Sequence, residues 1–411
     1  MNTTDPAQLL QELVRFASVT PDATDVLDAL EGQLRSLGMK AERRIFSATG
    51  TDNVDNLYAR IGTKGPHLMF AGHVDVVPPG ETAKWKHDPF SATIEDGVLH
   101  GRGAVDMKGG IAAFVAALAR YVEANGNPPG SVSFLITGDE EGPSVNGTSK
   151  LLEWAAGSGE SWDGAIVGEP TNPEIVGDAI KIGRRGSLSG RVIVNGVQGH
   201  SAYPHLADNP VNGLMDLLDS LLLPPFDEGS DSFEPSNIEI TSVDVGNRAT
   251  NVIPATASAA FNIRFNELWD GDTVKREIER RLHEGAALAR IRNRHEEPAK
   301  FEIEWIGRVS PVFLTRDDWL IGTLGDAIES VTGKRPKLST GGGTSDARFI
   351  KDYCPVVEFG LVGQTMHQID ERANECSVVC QRESQFVVIH RSDQFRIAVI
   401  RFHHAQDLAD R

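Results

Sequence analysis

The sequence predicts an α/β protein: a central, mainly parallel sheet forms one domain, and an α+β domain is inserted into it. Three observations carry this expectation. Residues 67–72, 131–136, 164–168 and 354–360 are apolar runs without alternation, the pattern of strands covered on both faces. Residues 187–194, 237–245 and 256–265 alternate instead, as strands do when only one face is buried. A chain of 411 residues also exceeds what one ordinary core organises. The expected division is 1–182 for the first catalytic segment, 183–309 for the insert and 310–411 for the second catalytic segment, with 372–411 atypical.

The chain opens on an amphipathic helix. Asp5 is placed to cap it, Pro6 fits the first helical position, and Gln8 falls where a capping box places its partner. Leu9, Leu10, Leu13 and Val14 form its apolar stripe. Helical stretches at 111–121 and 151–156 provide cover for the apolar strands. Two more, at 209–223 and 272–290, separate the alternating strands. In the tail, 386–389 reads as a strand, and Phe395, Ala398, Val399 and Phe402 read as one helical face.

Composition removes several function classes. The chain carries 58 acidic and 40 basic residues, a formal charge of −18, which argues against nucleic acid because phosphate binding needs a Lys/Arg surface. No apolar run approaches the roughly 18 residues of a membrane span. Cys354, Cys376 and Cys380 form no disulfide framework, which fits a reducing compartment. With no secretory leader pattern, the expected location is cytoplasmic. An anionic substrate would require a local cluster of positive charge on this acidic chain.

Each apolar run leads to a group that ionises or binds metal: His73 after the first, Asp139-Glu140-Glu141 after the second, Glu169 after the third and His367 after the fourth. Ligands of open α/β sheets collect beyond the carboxyl ends of strands. Asp106 lies in the glycine-rich stretch 101–110, just before a helix. Two imidazoles with three carboxylates suit zinc better than calcium or magnesium. Five protein ligands exceed the need of one open catalytic zinc and fit two metals sharing a carboxylate, about 3.5–4 Å apart. Asp75 is placed to orient His73 through the ring's other nitrogen, and Glu140 is free to act as general base. Taken singly, each histidine reads as a structural residue and the acidic triplet as a solvated turn; the joint pattern changes that. The 341–345 stretch lacks the Gly-Lys-Ser/Thr of a phosphate loop.

These residues resemble the M20 metallopeptidase and deacylase family. The resemblance rests on His73-Val74-Asp75-Val76-Val77-Pro78, Gly101-Arg102-Gly103, Asp106-Met107-Lys108-Gly109-Gly110, Thr137-Gly138-Asp139-Glu140-Glu141-Gly142, Gly168-Glu169-Pro170 and His367. It extends from the first helix to about Glu371. It implies a ferredoxin-like lid that makes a homodimer, and two Zn²⁺ per subunit with Co²⁺ able to substitute. It also implies that Asp106 bridges, that His73 and Glu169 hold one metal, and that Glu141 and His367 hold the other.

Within the family, residues 181–188, 342–349 and 359–361 resemble the branch that removes succinyl groups. The expected reaction is hydrolysis of N-succinyl-LL-2,6-diaminopimelate to succinate and LL-2,6-diaminopimelate, in lysine and diaminopimelate biosynthesis. Acetylornithine deacetylase-like or other N-acyl amino acid hydrolysis is the alternative. The resemblance makes Arg184 and Arg264 carboxylate readers, with Ser187, Asn251 and Thr344 as neutral partners. It makes His200, in Gly199-His200-Ser201-Ala202-Tyr203-Pro204-His205, the residue that stabilises the oxyanion in the partner subunit's site.

Overall fold

The computed structural model describes residues 4–293, 297–374, 388–392 and 394–398. Two compact units are present. One comprises the chain up to Ile182, Thr315–Ser339 and the chain from Ser345 onward; the other comprises Gly183–Leu314 and Thr340–Thr344. The second crossing falls after Leu314 rather than at 309, and Thr344 belongs with the inserted unit.

The first unit is built on an eight-stranded sheet. In spatial order its strands are Lys40–Phe46, Val54–Ile61, Ser131–Thr137, His67–His73, Gly164–Val167, Val356–Glu358, Ala179–Lys181 and Lys337–Ser339. Ser131–Thr137, His67–His73, Gly164–Val167 and Val356–Glu358 run parallel to their neighbours within that group. Antiparallel pairs join Val54–Ile61 on one side and Ala179–Lys181 on the other. The central strands are buried along their whole length, which explains why they do not alternate. Because the four are parallel, their carboxyl ends emerge at one edge.

Helices cover this sheet. Asp5 caps the helix Pro6–Val14, but its carboxylate takes the N–H of Ala7, at 3.1 Å, without help from Gln8. The helix Lys108–Asn125 crosses the same core, where Phe114 stacks on Phe70 with ring centroids 4.2 Å apart. Leu10, Leu13, Val14, Leu27, Leu30, Ile111 and Val115 are fully buried there, each contributing about 1.5–3 kcal/mol of transfer free energy. Gly110 permits the approach of this helix: a Cβ at that position would lie 2.4 Å from the carbonyl oxygen of Gly168.

The second unit has the order β-α-β-β-α-β, the split βαβ arrangement. Its antiparallel sheet runs Asn237–Asp244, Thr256–Phe265, Gly186–Asn195, Lys300–Ser310. The alternation in Gly186–Asn195 and Thr256–Phe265 directs Leu188, Val192, Val194, Ile263 and Phe265 into one core. The helices Pro210–Leu222 and Gly271–Asn293 close it through Leu214, Leu217, Ile278 and Leu282.

The tail departs from expectation in part: a strand is present from Val388, within the expected 386–389, but no helical face follows it among the described residues. Val388–Ser392 and Gln394–Ala398 form an antiparallel hairpin, so Phe395 and Ala398 lie on a strand and not on a helical face. Cross-strand pairing, from Val388 with Ala398 to Ser392 with Gln394, satisfies the backbone that a helix would have satisfied internally. Cys376, Cys380, Phe386, Val399 and Phe402 lie outside the described residues. Cys354 is a buried free thiol.

Candidate metal centre

The strand ends and one loop deliver five side chains of the first unit to a common point. His73 is the last residue of its strand, and its Nε2 lies 3.3 Å from Oδ1 of Asp106 and 3.8 Å from Oε1 of Glu169. His367 Nε2 lies 3.3 Å from the other Asp106 oxygen, Oδ2, and 2.9 Å from Oε1 of Glu141. Asp106 thus offers one oxygen to each histidine. His73, Asp106 and Glu141, and likewise His73, Glu140 and Glu169, bring their ligand atoms within 4.8 Å of one another.

The donor atoms fit a cation. Nε2 of His73 and Oδ1 of Asp106 are buried and have no hydrogen-bond partner, an arrangement that is costly unless another ligand meets them. The electrostatics agree. Burial opposes a charge on His73, but the adjacent Asp106 carboxylate and the charges of Asp75 and Glu140 raise its pKa well above the usual value. Hydrogen bonds to Asp106 and Glu141 push His367 up to about 10. Burial, followed by the charges of Asp346 and Glu169, raises Glu140 well above the carboxylate range, against the opposing His73 and Arg348. Burial alone would raise Asp106 as well; His367 and His73 close beside it reverse this and hold it low. So many acidic groups in one buried place are an excess of negative charge for divalent cations to balance.

The surrounding groups set the positions. Asp75 differs from expectation. The Nδ1 of His73 meets the backbone carbonyl of Asp75 at 2.9 Å, whereas the Asp75 carboxylate is 3.6 Å away. That carboxylate accepts the N–H groups of Glu140 and Glu141, at 3.3 and 3.0 Å. A fully buried carboxylate needs strong donors, and the turn after Thr137 supplies two. Burial, partly offset by His73 and these donors, brings Asp75 to about 6. The neighbouring Asp139 accepts from Ser144, Val145 and Asn146 and so braces the loop that carries Glu140.

Three further groups were not singled out from the sequence. Glu371, completely buried, pairs with Arg102 at 2.6 Å and accepts the N–H groups of Val105 and Asp106, at 3.1 and 3.3 Å. Arg102 also donates to the carbonyl of His367, at 3.4 Å. His367 has φ of 61°, a left-handed conformation uncommon for residues other than glycine, so this anchor acts where the backbone is strained. Arg348 lies 3.8 Å from Glu140. The available signal was weak: Arg102 sits inside the glycine-rich stretch, and Glu371 marks where the family pattern ends.

The remaining site residues lie in the second unit. Arg184 is buried and donates to the carbonyl of Gly343, at 2.8 Å, next to Thr344. Ser187 and Arg264 are cross-strand partners. The Arg264 side chain makes no hydrogen bond or ion pair among the described residues, and burial together with Arg185 lowers its pKa. His200 is exposed, and its neighbour Ser201 donates to the carbonyl of Asn251 at 3.0 Å.

Residues 69–382 match the family described as Peptidase family M20/M25/M40. The chain belongs to this family. Solved structures share its fold along nearly the whole chain. Aminopeptidase PepT from Bacillus cereus is 19% identical, with a TM-score of 0.74 over 93% of this chain and 97% of that one. The M20 family metallo-carboxypeptidase Sso-CP2 from Sulfolobus solfataricus is 18% identical, with a TM-score of 0.71 over 92% and 98%. The Bacillus subtilis YXEP protein, a dinuclear metal-binding peptidase of the family, is 16% identical, with a TM-score of 0.65 over 93% and 96%. The chain is thus a member of a hydrolase family with a candidate metal centre. No described helix is long and apolar enough to cross a membrane.

Proposed function

We propose that the protein hydrolyses the amide bond of N-succinyl-LL-2,6-diaminopimelate, releasing succinate and LL-2,6-diaminopimelate. The observation that carries hydrolysis is the carboxylate of Asp106 between His73 and His367, with Glu140 beside them. His73 and Glu169 would hold one cation, Glu141 and His367 the other, and Asp106 both. When bound, zinc-class cations supply Lewis acidity toward the amide carbonyl. Glu140 takes a proton from the attacking water and returns it to the departing amine, a role typically worth about 10²–10⁴ in rate. Asp75 holds the backbone of Glu140 and Glu141 in place, and His200 donates to the oxyanion in the other subunit's site of the dimer.

Succinyl specificity rests on Arg184 and Arg264, since guanidinium forks bind carboxylates bidentately and this substrate carries three. Ser187, Asn251 and Thr344 supply neutral donors. The reading includes a homodimer formed through the second unit, zinc as the native metal with cobalt able to replace it, and a cytoplasmic location.

The test compares turnover of N-succinyl-diaminopimelate with that of acetylornithine on one zinc-loaded sample. A clear preference for acetylornithine would reassign the acyl group. Arg264→Met should raise KM for the succinyl substrate by about 10- to 100-fold with little change in kcat, the loss of one charge-assisted pairing. An unchanged KM would remove Arg264 from the substrate site.

A further inference from the structure

A second group of potential ligands lies in the first unit and shares no residue with the Asp106 centre. It is built on the hairpin Thr93–Glu95 and Val98–His100, whose strands join at Asp96-Gly97. Thr93 pairs with His100 and Glu95 with Val98. Side chains alternate across a strand, so Glu95 and His100 stand diagonally on one face. Leu99 fixes which face, because it points the other way into the core and is 1% exposed. His87 reaches the same place from the preceding loop. Its Nε2 lies 3.3 Å from Oε2 of Glu95, and its ring centroid is 4.9 Å from that of His100.

We infer that His87, Glu95 and His100 form a separate site for a zinc-class divalent cation, with water completing the tetrahedron. Two imidazoles and one carboxylate are a donor set that zinc takes with an open position. The three ligand atoms lie within 4.8 Å of one another. Ligands of a tetrahedral zinc, bonded at about 2.0–2.1 Å, stand roughly 3.4 Å apart, so small side-chain rotations close the site. Nδ1 of His100 is buried and has no hydrogen-bond partner. The competing cation is Lys86, whose ammonium pairs with the same Oε2 of Glu95. Being exposed, it is readily displaced. Arg372 is the cross-strand neighbour of His100, and its charge must be offset by strong metal–imidazole bonds, which zinc-class cations form and a hard cation such as magnesium does not.

The test measures zinc bound per chain by equilibrium dialysis of the full-length protein against chelator-buffered zinc, in wild type and in His87→Ala/His100→Ala. The wild type should hold one more zinc per chain than the double variant. Because the result is a difference, it stands whatever the Asp106 centre binds. Equal zinc counts throughout the titration would overturn the site. If the double variant fails to fold by circular dichroism, Glu95→Gln replaces it under the same criterion. Lys86→Ala should tighten this zinc several-fold; unchanged affinity would also overturn the inference.

Discussion

Glu371 receives the guanidinium of Arg102 at 2.6 Å with both side chains buried, and its second oxygen holds the N–H of Asp106. One ion pair therefore locks the loop that carries the shared carboxylate to the chain that follows His367.

Removing one partner leaves the other charge buried and unpaired. Arg102→Met should destabilise the fold by about 3–5 kcal/mol, read from the urea midpoint. Metal content should fall with it, because the backbone of Asp106 and His367 loses its common anchor. Unchanged stability and metal content would show that Glu371 finds another cation.

Glu140→Gln should lower kcat by about 10²- to 10⁴-fold while leaving the circular dichroism spectrum and zinc content as in the wild type. Activity within tenfold of wild type would transfer the role of base to another group.

Gly110→Ala should destabilise the protein by about 1–3 kcal/mol, the usual range for overpacking, because the added methyl meets the backbone of Gly168 next to Glu169. Activity should fall further than stability explains, since displacing Gly168 moves Glu169. Thermal unfolding and turnover measured on one preparation separate the two effects.

His67 gives the pH dependence. Burial, then the charge of Arg60, lowers its pKa from 6.5 to about 4, with the carbonyl of Ser161 and Asp163 opposing. Above pH 6.5 the histidine is neutral in both folded and unfolded chains and costs nothing. Between about 6.5 and 4 the unfolded chain binds the proton and the folded one does not, so stability falls on acidification by about 3 kcal/mol. His67→Asn should flatten this part of the curve, measured as urea midpoints from pH 7 to 4.5. An equally steep curve would place the acid sensitivity elsewhere.

Much of the architecture was legible in the chain. Unbroken apolar runs end at His73, before Asp139 and before Glu169 because strands buried on both faces carry no polar residue until they leave the sheet. Alternation at Gly186–Asn195 and Thr256–Phe265 marked the second sheet for the opposite reason. In the tail, the strand expected at 386–389 is present from Val388, whereas Phe395 and Ala398, read as part of a helical face, pair across a hairpin that local spacing does not reveal.

Local sequence determined which residues have the chemistry: imidazoles and carboxylates at strand ends, arginines in the insert, glycine where helix meets backbone. Only the tertiary structure decided how they pair. Arg102 and Glu371 are 269 positions apart, and no local pattern links them; burial makes each the other's required counter-charge. Asp75 likewise carried the signature of a histidine partner, but the fold set its carboxylate beneath two backbone N–H groups. Residue type fixes what a group can bind, whereas three-dimensional proximity and the loss of water fix what it must bind.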